Sequence, residues 1–147
     1  MTLVIRDALP ADEARWRTLW AHYLAFYGVS IAPEVTDLTW RRVFDPASAI
    51  FMRVADLEGK LMGFALCLTH EGTWTQALDC YLEDLFVDAA ARGKGVGKAL
   101  LDDLVALSRD KGWTRLYWHT DESNTTARKL YDQYVESDGH IRYRINL

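Results

Sequence analysis

The sequence predicts a mixed α/β fold, a mostly antiparallel central sheet of about six strands with helices on both faces. The expected element order is β-α-α-β-β-β-α-β-α-β. Three observations predict it. Apolar residues recur at three- and four-residue steps from Trp16 to Tyr27, the period of an amphipathic helix. Two β-rich runs flank Leu57 to Lys60, with Gly59 in the turn, which is a hairpin pattern. The stretch "ARGKGVGKALL", residues 91–101, then carries the chain from a strand into a helix through glycines at every second position.

Taken in order, Thr2 to Arg6 reads as a short strand. Pro10 opens a helix, being tolerated in a first turn, and Trp16, Leu19, Trp20, Tyr23, Leu24 and Tyr27 form its apolar face until Gly28 stops it. A second helix covers about Pro33 to Phe44, ahead of Asp45-Pro46. The hairpin lies within "AIFMRVADLEGKLMGFALCLTH". A third strand follows from about Leu78 to Val87. Lys98 to Lys111 is helical, with Leu100, Leu101, Leu104, Val105 and Leu107 apolar and Gly112 as its C-terminal cap. Trp113 to Thr120 returns to strand. Asn124 caps a short helix reaching about Tyr134, and "GHIRYRINL" closes as a final strand.

Length and the lack of any linker or repeat predict one domain over residues 1–147. A net charge of −4 argues against a nucleic-acid binder, whose footprint is a basic surplus. Cys67 and Cys80 are the only cysteines, too few and too far apart for a zinc site or a disulfide framework, and they read as buried thiols. No metal is expected. No run reaches the length of a membrane span, and "MTLVIRDALP" lacks the basic start and apolar core of a signal peptide. The cytoplasm is the expected location.

Alternating glycines between strand and helix suit a phosphate held on main-chain N–H groups. A P-loop would put a glycine where Arg92 stands and a hydroxyl where Ala99 stands. The dinucleotide fingerprint G-x-G-x-x-G has a different spacing and opens a parallel sheet. What remains is R-x-x-G-x-G, "RGKGVG", preceded by "YLEDLFVD" and followed downstream by N-x-x-A-x-x-x-Y at Asn124, Ala127 and Tyr131. This combination resembles the pyrophosphate loop and flanking elements of the GNAT superfamily of acyl-CoA N-acyltransferases. The phrases "YLEDLFV" and "YWHTDESNTTARKLY" look most like its branch acting on polyamines, small amines and histone-tail lysines.

The resemblance implies acetyl-CoA as co-substrate and direct transfer to a primary amine in a ternary complex. It implies that Arg92, Gly93, Lys94, Gly95, Val96, Gly97 and Lys98 hold the pyrophosphate, and that Leu85, Phe86 and Val87 offer main-chain groups to the pantetheine arm. Asn124, Ala127 and Tyr131 share one helix face and are implied to line that arm. Tyr131 then protonates the departing thiolate; a phenol near 10 makes this slightly uphill against a thiol near 8.5. The other reading of Tyr131 is a core aromatic beside Leu130 and Tyr134.

Glu83 and Asp84 sit inside an otherwise apolar strand, where alternation sends them to opposite faces. A buried carboxylate is costly unless paired or used. One alternative is pairing with Arg53 or Arg115. The functional one is acid–base work, because only a neutral amine attacks a thioester. In the polyamine-type resemblance Glu83 takes the amine's proton through water and Asp84 holds a cationic amine, roles that can be exchanged. Tyr23 and Tyr27 are the expected aromatic wall for the acceptor, out of a group including Trp20, Phe26 and Trp40. His119, at a strand end near the same cleft, is read as structural or solvated. Only about thirteen residues follow Tyr134, where chains of the resembled family commonly end with two strands; either the last strand is all there is, or a partner subunit completes the sheet edge as a homodimer. Two rival functions stay open: a non-catalytic acyl-CoA sensor, and a protein-lysine or N-terminal acetyltransferase.

Overall fold

The computed structural model describes residues 1–147. The chain runs β1 (Leu3–Asp7), a 3-10 turn (Pro10–Asp12), α1 (Glu13–Tyr27), α2 (Pro33–Phe44), β2 (Ile50–Leu57), β3 (Lys60–His70) and β4 (Asp79–Val87). A second 3-10 turn (Ala89–Ala91) leads to α3 (Val96–Lys111), β5 (Arg115–Trp118) and α4 (Thr125–Tyr131). The strands lie in the order β1-β2-β3-β4-β5. Neighbours are antiparallel except β4 and β5, which are parallel. The order of elements through α4 and the mixed class match the sequence expectation.

Alternation on β3 divides the core into two layers. Phe64 and Leu66 face α1 and α2, joining Trp16, Leu19, Trp20, Trp40 and Phe86. Trp16 is fully buried and stacks on Trp20 and Trp40 at 5.4 and 5.2 Å between ring centroids. The opposite face presents Ala65 and Cys67, covered with Cys80 and Leu82 by Val96, Leu100, Leu101 and Leu104 of α3. Cys67 and Cys80 are buried free thiols, as expected. No helix is long and apolar enough to cross a membrane.

The structure corrects the sequence reading at the C-terminal end. The sheet has five strands, not six. Residues 139–147 form no strand, although Ile141, Tyr143 and Ile145 alternate as a strand would. They stand 75–87% exposed, and residues 136–147 make no backbone–backbone hydrogen bond. Alternation gives a segment two faces but supplies no neighbour to pair with, and a ladder needs both. Helix α4 likewise ends at Tyr131, three residues before Tyr134. Tyr134 instead fixes the chain to α3, its hydroxyl donating to Asp102 Oδ1 at 2.6 Å.

Candidate active site

Strands β4 and β5 pair only from Asp79↔Arg115 to Leu82↔Trp118. Beyond Leu82 they part, and a cavity of about 50 Å³ opens between them. From β4 it is lined by Leu82, Glu83 and Leu85, and from β5 and the residues after it by Trp118, His119 and Thr120. Tyr23 and Tyr27 of α1 and Tyr131 of α4 close it. The structure therefore brings Glu83, Tyr131, Tyr23 and Tyr27 together, with Asp84 behind them.

The two carboxylates reach this place by a route that strict alternation misses. Leu66 pairs with Asp84 and Cys67 with Leu82, so Glu83 is the extra residue of a β-bulge. A bulge re-aims side chains by inserting one residue opposite none. Glu83 is exposed at the cleft, while Asp84 is turned toward α1. The Tyr23 hydroxyl donates to Asp84 Oδ1 at 2.8 Å. Burial first, then the nearby Glu83 charge, pushes the Asp84 carboxyl up to about 6 against the downward pull of that hydrogen bond. Burial and the Asp84 charge push the Tyr23 phenol up in turn.

Neither arginine considered as a partner is free for them. Arg53 lies between Asp103 at 2.8 Å and Asp7 at 2.7 Å, and Arg115 stands 3.8 Å from Asp79. No lysine or arginine of the chain forms an ion pair with Glu83 or Asp84.

Tyr131 packs against Trp118 with ring centroids 5.4 Å apart. Burial, with a smaller effect of Tyr27, pushes its phenol up to about 12. Asn124 caps α4, its Oδ1 accepting from the Ala127 N–H at 3.3 Å. Ala127, half-buried on the same face, adds no bulk in front of Tyr131.

The glycine loop sits at the far end of β4. Asp88 anchors its start, accepting from the Ala90 N–H at 2.9 Å and from Arg15 of α1 at 2.7 Å. Gly93 and Gly95 take φ of +78° and +77°, with open space where a Cβ would stand. That left-handed backbone turns successive N–H groups outward. The N–H groups of Gly93, Gly95, Val96, Gly97 and Lys98 meet no backbone acceptor, at the positive end of a 16-residue helix. Val96 buries its side chain in the core while leaving this amide outward. Such a cradle fits a diphosphate without any further device.

Three loop residues behave differently from a plain rim of charge and bare backbone. Gly97 has no left-handed φ; a Cβ there would lie 3.3 Å from Leu130 Cδ2 and 3.7 Å from Val87 Cγ2, so its bareness serves close packing. Lys98 is held by Asp102 at 2.7 Å. The Arg92 guanidinium rests 6.0 Å from the Phe26 ring centroid, and Lys94 is exposed. On β4, Leu85 reaches the cavity, Phe86 is buried against Phe64 and Tyr23, and Val87 lies beside Gly97. Trp20 and Trp40 belong to the core, not to the cleft. His119, set aside on residue type alone, is exposed on the cleft wall. The signal that could have placed it is its step of two from Tyr117 at the end of β5.

Comparison with known proteins agrees with this geometry. The model of the acetyltransferase (GNAT) family matches residues 15–135. The D-amino-acid N-acetyltransferase HPA3 of Saccharomyces cerevisiae is 33% identical over 146 residues, covering 98% of this chain and 91% of its own. Mycothiol acetyltransferase of Salinispora tropica is 33% identical over 142 residues, 92% of this chain but 45% of that protein, so this chain spans less than half its length. Among solved structures, a ribosomal-protein-alanine N-acetyltransferase from Brucella melitensis biovar Abortus 2308 superposes with a TM-score of 0.83 at 23% identity, over 99% of this chain and 100% of that one. AAC(6')-Iy in complex with a CoA-containing bisubstrate analogue gives 0.83 at 20% identity over the full length of both. At these identities the two structures speak to the fold alone. The fold, the amide cradle, the parted strands and the family match converge: the chain belongs to the GNAT acetyltransferase family and is an acetyl-CoA-dependent N-acetyltransferase.

Proposed function

We propose that the acceptor is a small molecule carrying a primary amine, of the polyamine or amino-acid kind, and that it attacks directly while acetyl-CoA is bound. One observation carries this reading. Glu83 lines the cleft and Asp84 lies behind it against the Tyr23 hydroxyl, with no lysine or arginine of the chain paired to either, which leaves a site short of a cation. An ammonium group supplies that charge, and the Tyr23 and Tyr27 faces add cation–π attraction. The relative named for D-amino acids acts on an acceptor of this class. A protein lysine is the second reading.

In this arrangement Asp84, held by Tyr23, anchors the ammonium. Glu83 acts on the amine's proton through water, for which the cavity of about 50 Å³ has room. The free amides from Gly93 to Lys98 bind the diphosphate, with Arg92 and Lys94 adding charge at the rim. Leu85, Phe86 and Val87 present the unpaired edge of β4 to the pantetheine arm, and Asn124 and Ala127 flank it. Tyr131 donates to the sulfur as it departs. When bound, acetyl-CoA supplies the activated acyl group.

Thiol release from acetyl-CoA, measured against polyamines, D- and L-amino acids, aminoglycosides and lysine peptides, tests the acceptor class. Small amines are expected to show kcat/KM at least about tenfold above lysine peptides, roughly 1.4 kcal/mol of discrimination. The opposite order would overturn the small-molecule reading. The exposed alternating segment at residues 139–147, beside a sheet whose edge strand β5 has one neighbour, also supports a homodimer. Sedimentation at micromolar concentration is expected to give twice the chain mass, and a monomer would count against it.

A further inference from the structure

We propose that His119 is the proton acceptor of the reaction, positioned by Tyr81, and that the proton drawn from the amine ends on its Nε2. The inference deepens the reading of the cleft as an amine site and rests on it. His119 lies on the cavity wall together with Glu83 and Tyr131. Its Nδ1 is 3.3 Å from the Tyr81 hydroxyl, and the two rings meet edge to face at 5.5 Å between centroids. Tyr81 is itself stacked on Tyr117 at 5.1 Å, and the Tyr117 hydroxyl is fixed 2.6 Å from His70 Nε2. The imidazole at the cleft therefore stands on a built aromatic shelf spanning β3, β4 and β5.

In the tautomer proposed, Nδ1–H donates to Tyr81 Oη and Nε2 keeps its lone pair. The partner of one ring nitrogen sets which atom of the other can accept. No other side chain or backbone group bonds Nε2 within the chain. The step balances simply. One N–H bond of the ammonium breaks and an N–H bond forms at Nε2 through the intervening water. The freed pair makes the C–N bond, the C–S bond breaks as Tyr131 gives its proton to the sulfur, and the second proton that the nitrogen loses restores the Tyr131 hydroxyl. The imidazolium then returns its proton to solvent, to which His119 is exposed.

Magnitude favours imidazole over carboxylate for this task. A general base works best when its own pKa is near the operating pH. Ordinary imidazole near 6.5 is about two units closer to an amine near 10 than an ordinary glutamate near 4.3. Glu83 then acts by orienting the water that relays the proton, and His119, not Glu83, is where that proton ends. The charged and titratable groups facing His119 are Glu83 and Tyr81 from β4, Tyr117 from β5, Tyr23 and Tyr27 from α1, and Tyr131 from α4. Burial, then the Glu83 charge, push the Tyr81 phenol up, against a smaller opposing pull from Arg142 of the segment after α4.

The test is the pH dependence of kcat/KM for the full chain with acetyl-CoA and the best amine of the panel above. The wild type is expected to show an acid limb, a loss of kcat/KM as the pH falls. His119→Ala should lose that limb and fall about 100-fold near pH 7, with coenzyme A affinity by calorimetry unchanged and added imidazole restoring part of the rate. Tyr81→Phe should keep the limb, move it, and lower the rate about fivefold. A wild-type profile in His119→Ala overturns this inference and leaves the amine site standing. Coenzyme binding by the wild type without turnover of any amine overturns the amine site, and the role of His119 with it.

Discussion

Replacing Tyr131 by phenylalanine is expected to lower kcat about 100-fold, the usual scale for losing a general acid, while the dissociation constant for coenzyme A stays within about threefold. The ring remains to pack on Trp118, so only the hydroxyl is lost. Burial has raised this phenol to about 12. Complete transfer to a free thiolate near 8.5 is therefore uphill by about 5 kcal/mol, a larger gap than the residue type suggests. In the proposed role Tyr131 donates while the carbon–sulfur bond is still breaking, when the sulfur's proton affinity changes most steeply. Its effect then lies in kcat and not in binding. Rapid quench separates the two, and a Tyr131→Phe enzyme with undiminished single-turnover rate would remove the tyrosine from the chemistry.

Replacing Asp84 by asparagine is expected to stabilise the fold and impair the enzyme. The folded carboxyl titrates at about 6, above its ordinary value of 3.8. Between about pH 4 and 6 the folded chain holds a proton that the unfolded chain has released, so stability falls as pH rises through that window. Above it the ionised, largely buried group costs on the order of 3 kcal/mol. Asparagine keeps an acceptor for the Tyr23 hydroxyl without the charge. The melting temperature at pH 8 should rise by about 5–10 °C, with the gain vanishing near pH 4, while KM for the amine rises about tenfold. A melting temperature unchanged at pH 8 would mean that the carboxylate is better solvated than its surroundings imply.

How much of this was legible in the residues depended on how local the signal was. Trp16, Leu19 and Trp20 announce the buried face of α1 by spacing alone. Leu57 to Lys60 announces a tight turn, and there Glu58 and Gly59 take φ of +54° and +84°. The strand-to-helix glycines announce a cradle because few other uses need bare backbone at that junction. Glu83 was legible as an anomaly but not in its position, since alternation assumes an unbroken ladder and the bulge is a property of the pair β3–β4. The final strand failed for a related reason, as no residue from 139 to 147 encodes whether a neighbour is there. Gly97 and Lys98 were legible for their amides but not for the neighbours of their side-chain positions, Leu130 and Asp102, the one distant in sequence and the other one turn along the helix. His119 needed Tyr81 beside it before its residue type meant anything.

The contact between Gly97 and Leu130 ties the two ends of the reaction together. In the proposed arrangement the first turn of α3 offers its amides to one end of the coenzyme, and Leu130 immediately precedes Tyr131, proposed to meet the other. A methyl group added at position 97 would stand 3.3 Å from Leu130 Cδ2, so the leucine beside Tyr131 would have to give by a few tenths of an ångström. On that reading, capture of the coenzyme and aim of the departing proton share one wall, and a change on either side of it is felt on the other.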